Sequence, residues 1–165
     1  MVKTTNKYGL GRKPSPFDER DYNLESYIPK EALKKRLMPE VLYKKWDFPT
    51  ESLDQGSTPH CVGYSMASFG INSPVNTMYT NEDGHRFYYL CKEKDGEPGE
   101  ENGSYIRSAA KVLKDEGRIN AYAFAYNMDS IKWWMINKGP MIAGTIWTEG
   151  MFLLQIMILM TILLR

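Results

Sequence analysis

Two cysteines among 165 residues are too few for a disulfide framework, so Cys61 and Cys91 stand as individual thiols. Only two histidines, His60 and His85, are present to supply imidazole chemistry. Neither sign of charge is in excess, with 21 basic against 20 acidic residues, which leaves no electrostatic case for nucleic acid or an anionic membrane. No apolar run reaches the roughly 20 residues that a membrane-spanning helix needs. No secretory apolar stretch follows Met1, and with so few cysteines this points to the cytoplasm or another reducing compartment. Internal repeats are also missing. What remains is a length suited to one domain with a core of its own.

What is present concentrates in Gln55-Gly56-Ser57-Thr58-Pro59-His60-Cys61-Val62-Gly63-Tyr64-Ser65. A thiol at the start of a helix feels the positive end of the helix dipole, which favours thiolate. The Gln55 amide, six residues earlier across a turn-forming stretch, is a neutral donor for an oxyanion forming beside the sulfur. Acyl transfer to sulfur needs these two groups. The competing interpretation is a buried structural cysteine on an amphipathic helix.

The chain divides into a polar leader over 1–38, a globular region over 39–150 and an apolar tail over 151–165. In the leader, Lys13-Pro14-Ser15-Pro16 excludes helix, whereas 31–37 can make two turns before Pro39. Val62, Met66 and Phe69 form the inward stripe of a helix that starts near Cys61. A second helix starts at Thr80-Asn81-Glu82-Asp83, buries Phe87, Leu90 and Cys91, and ends at Gly96. The loop over 95–103 is rich in turns and acids. Ser104 is expected to cap a third helix with Ile106, Ala109, Ala110 and Leu113 inward, stopped at Gly117. A short helix is expected over 129–138, and a β-leaning run over 141–147. Helices first and strand material late give an α+β order.

The Gln55–Ser65 run resembles the active-site segment of the papain-like cysteine peptidases, in which Gln-Gly-Ser is followed by a short loop and then Cys, an apolar residue, a small residue, an aromatic and Ser. Asn102-Gly103-Ser104-Tyr105 and Gly139-Pro140-Met141-Ile142-Ala143-Gly144 also resemble segments of that family, so that the similarity covers about 39–152. Thr58 stands where the family usually has a second cysteine, and Ser104 replaces a glycine. The resemblance implies a papain-like fold, with its helical half and the start of its β half. It implies Cys61 as nucleophile, Gln55 as oxyanion donor, and Gly103 and Ser104 beside a peptide cleft. The activity would be hydrolysis of a peptide or protein substrate through a thioester, with no metal or organic cofactor.

The family also needs a histidine roughly 130–150 residues beyond the cysteine, and an Asn after it. Neither residue type occurs after Trp147; the chain continues instead into Met151–Arg165, fifteen residues that are nearly all Leu, Ile and Met. Three explanations compete for this tail: a frame-shifted or truncated end, a genuine core element, and a membrane-surface or partner-binding segment. His60, next in sequence to Cys61, is expected to be a loop or rim residue. His85 is expected near a helix start, where the dipole opposes its charge. A zinc site from His60, Cys61, His85 and Cys91 matches no common spacing. Cys91 is expected to be a small core residue. The expectation is therefore a cysteine peptidase with very weak or no turnover; the alternative is a non-catalytic papain-fold module that binds a peptide or protein partner. A different thiol acyl-transferase would leave Gln55 without a role.

Overall fold

A computed structural model of the chain describes residues 9–33, 44–46, 52–145 and 162–164. Among the described residues four α-helices carry the fold: α1 (Cys61–Ile71), α2 (Asn81–Asp95), α3 (Ile106–Asp115) and α4 (Met128–Asn137). Four short strands accompany them: β1 (Arg12–Lys13), β2 (Ser104–Tyr105), β3 (Ala121–Ala123) and β4 (Ile162–Leu164). β1 runs parallel to β2, with Arg12 opposite Ser104 and Lys13 opposite Tyr105. β3 runs antiparallel to β4. The α+β class holds.

Each helix begins and ends for a local reason. Thr80 and Asp83 form a reciprocal capping box at the start of α2, and Gly96 closes it in the left-handed region at φ 75°. Asn127 accepts from the Ser130 N–H to start α4. Ser104 does not cap α3. It lies in β2, its hydroxyl donates to Asp95 Oδ2 at 2.7 Å, and Tyr105 holds the cap position without a side-chain bond. The buried carboxylate of Asp95 thus draws the hydroxyl away from the α3 amides.

The main core joins α1, α2 and α3 through Val62, Met66, Phe69, Phe87, Ala109, Ala110 and Leu113, with Ile119 and Ile142 closing it. Cys91 lies in this core, fully buried, its thiol 3.5 Å from Met66 Sδ. Burial pushes that thiol far above its ordinary range. A second cluster gathers Leu24, Ile28, Ala123, Trp134 and Met141. Much of the polar leader is therefore built into the domain. Leu24 N–H donates to the Phe124 carbonyl and Phe124 N–H to that of Tyr22, while Arg107 on α3 pairs with Asp21. Of the helix expected over 31–37, a 3-10 turn at Lys30–Leu33 is present, and residues 34–37 lie outside the described set. Residues 141–145 form no strand, and 146–147 of that run are not described. Within the tail, the backbone of Ile162–Leu164 pairs with β3.

Candidate functional site

Cys61 opens α1, with His60 as the N-cap residue and no side-chain cap. The thiol is only partly exposed. Burial raises its pKa above the ordinary value, and this outweighs the opposing pull of the Gly11, Val62 and Cys61 backbone amides and the nearby positive charge of Arg12. The helix start alone predicts the opposite direction. Desolvation is the larger effect.

The segment from Gly9 to Lys13 runs beside the thiol, with the Gly11 N–H donating to it and Arg12 near it. Gln55 Nε2 donates to the Gly9 carbonyl at 2.8 Å and to the Thr58 carbonyl at 2.9 Å. The amide proposed as an oxyanion donor is thus engaged by two peptide carbonyls, one of them from that segment. Two residues further on, Ser104 N–H donates to the Gly11 carbonyl at 2.7 Å, and the parallel β1–β2 ladder begins. Gly103, at φ 86°, allows this approach: a Cβ there would lie 2.1 Å from the Gly11 carbonyl oxygen. Gln55, Cys61, Gly103 and Ser104 therefore all meet one extended stretch of the chain itself, Gly9 to Gly11. Two shallow clefts lie elsewhere, one around Phe69, Pro74 and Trp134 and one around Tyr22 and Tyr122.

The 95–103 loop is held from below by a buried cation. Lys92 is fully buried; its ammonium donates to Glu97 at 2.5 Å, Asn102 Oδ1 at 2.7 Å and the Gly103 carbonyl at 3.0 Å. Lys13 reaches the same Glu97 at 2.7 Å and Asn102 at 2.8 Å. Hydrogen bonds from Lys13 and then Lys92 hold the Glu97 carboxyl down from 4.5 to about 2. A carboxyl depressed on folding stabilises the fold fully above its unfolded value, and that contribution disappears as the pH falls through the folded one. Thermal melts should accordingly drop more steeply between pH 4.5 and about 2 in the wild type than in Glu97→Gln. Parallel pH slopes for the two proteins would discard the clamp.

His60 is not at the rim. It is 3% exposed and stacks on Tyr88 with centroids 3.9 Å apart. Its Nδ1 lies 2.7 Å from His85 Nδ1 and its Nε2 lies 2.7 Å from Glu101 Oε2. Tyr89 donates to the other oxygen of Glu101 at 2.7 Å, and this bond first, with His60 behind it, lowers the Glu101 pKa. Sequence spacing missed this cluster, because it depends on α2 crossing α1. Both ring nitrogens of His60 are engaged here, as is Nδ1 of His85. Among the described residues, no group of three or more His, Cys, Asp or Glu is arranged to hold a metal ion. Nor is any described helix long and apolar enough to cross a membrane. Neither cysteine is in a disulfide.

No family model, no curated protein and no solved structure matches this chain.

Proposed function

We propose that this chain is the thiol-bearing, peptide-binding half of a papain-like cysteine peptidase, holding extended peptide in the Cys61 groove with very weak or no turnover. One observation supports this above all: a peptide stretch already lies in the groove, its Gly9 carbonyl on Gln55 and its Gly11 carbonyl on the Ser104 N–H. In the proposed chemistry the Cys61 sulfur attacks a peptide carbonyl carbon and forms a C–S bond. The resulting oxyanion accepts from Gln55 Nε2 and the Cys61 N–H. The C–N bond then breaks, and the departing amine needs a proton. Water finally hydrolyses the thioester and restores the thiol.

The proton step is where turnover fails. A partner imidazole must take the thiol proton and return it to the amine. His60 is occupied at both nitrogens, and His85 spends Nδ1 on His60. This engagement also favours the second reading, a papain-fold module that binds a peptide or protein partner without cleaving it.

Added imidazole separates the two. After subtraction of the reaction of imidazole itself, it should raise hydrolysis of a p-nitrophenyl ester by the wild type and leave Cys61→Ala unchanged. Equal ester hydrolysis by both proteins would remove Cys61 as nucleophile. Cleavage of unfolded casein without imidazole, lost in Cys61→Ala, would show that a histidine of this chain serves after all.

A further inference from the structure

Gly9 and Gly11 alternate along the segment beside the thiol and face the backbone of the loop that carries Cys61. A Cβ on Gly9 would sit 2.1 Å from the Thr58 carbonyl oxygen, and one on Gly11 would sit 1.7 Å from that of Pro59. Real Cβ atoms do not approach backbone this closely, so the loop admits only glycine at both places. The residues that follow are also selected. The Arg12 side chain lies against Gly144, where a Cβ would come within 2.4 Å of its Nε. Lys13 enters the Glu97–Asn102 pair. Leu10, between the glycines, is 52% exposed, so its side chain is not read.

We propose that the Cys61 groove recognises an extended Gly-x-Gly peptide with a basic residue two places after the second glycine, and that Gly9–Lys13 is its resident occupant, gating access to the thiol. This inference rests on the groove proposed above as a peptide site, and it names the ligand and the regulation of that site. The Ser104 backbone N–H and the Gln55 side-chain amide donate to backbone carbonyls of the segment, a pairing independent of its side chains, as in other strand additions to a sheet edge. Specificity comes from the lack of room for a Cβ at two positions, from the close approach of Gly144 at the fourth and from Glu97 and Asn102 at the fifth. A copy of the same motif in another chain offers the same contacts, so occupancy in trans competes with occupancy in cis.

The test is the rate of iodoacetamide labelling of Cys61 in the full chain, with the labelled site read by peptide mass. Gly11→Val should accelerate labelling about tenfold, since the added side chain meets the Pro59 backbone, and Lys13→Glu should accelerate it less. Excess synthetic Tyr-Gly-Leu-Gly-Arg-Lys-Pro should return Gly11→Val to slow labelling, whereas Tyr-Ala-Leu-Val-Arg-Lys-Pro should not. General unfolding is recognised by simultaneous labelling of buried Cys91; if Gly11→Val shows it, Lys13→Glu decides. Wild-type labelling rates in variants that remain folded, or equal protection by both peptides, would overturn the proposal. Labelling reports access and not turnover, so its outcome is independent of whether the ester experiment above succeeds.

Discussion

Replacing Lys92 with Met should cost about 3–5 kcal/mol, as removing one partner of a buried ion pair usually does. The ammonium is fully buried, with Glu97, Asn102 and the Gly103 carbonyl as its acceptors and Asp95 Oδ2 at 3.9 Å. Glu97 and Asn102 keep Lys13 when Lys92 is lost. The Gly103 carbonyl loses that donor, and Asp95, fully buried, is left with two serine hydroxyls against its charge. An uncompensated buried carboxylate is the larger cost. The melting temperature should fall on the order of 10 °C. Lys94→Met provides the contrast, since Lys94 pairs with Asp115 at a largely exposed position and such pairs contribute about 0–1 kcal/mol. Similar melting points for the two variants would mean that the buried cation is dispensable. Because Lys92 fixes the loop bearing Gly103, its loss should also loosen the β1–β2 pairing.

Gly63→Val should be comparably damaging, for a steric reason. The α1 and α2 backbones meet where Gly63 faces Gly84. A Cβ on Gly63 would lie 2.3 Å from the Gly84 carbonyl oxygen and 2.6 Å from the Tyr88 backbone nitrogen. Both are helical backbone atoms, so relief requires moving one helix against the other. Overpacking typically costs about 1–3 kcal/mol, and a clash with rigid backbone belongs at or above the upper end. The shift should also expose the interface, making Cys91 reactive to iodoacetamide in the folded variant when it is inert in the wild type. It should also pull His60 from its stack on Tyr88. Wild-type stability together with an inert Cys91 in Gly63→Val would refute this account of the crossing.

The helices were legible because their signals are local. The alternation of apolar residues in 61–71 and 106–115, the Thr80–Asp83 box and the Gly96 stop depend on neighbours within a turn or two, and the chain folds there accordingly. The β elements were not legible in the same way. Arg12–Lys13 carries no alternating pattern, lies just before two prolines, and becomes a strand only because Ser104–Tyr105 presents an edge some ninety residues away.

The same division runs through the candidate site. Local spacing put Cys61 at a helix start with Gln55 upstream, and it made Cys91 a core residue. It could not anticipate that the segment from Gly9 to Lys13 would run beside the thiol, that the Gln55 amide would be taken by two carbonyls, or that His60 would be buried against His85 and Glu101. By itself the sequence determined where α1 and α2 begin, which faces they bury and which thiol opens α1. Only the tertiary structure decided the state of that thiol. Burial raises its pKa and outweighs the backbone amides of its own helix start and the Gly11 amide and Arg12 charge brought from a distant segment.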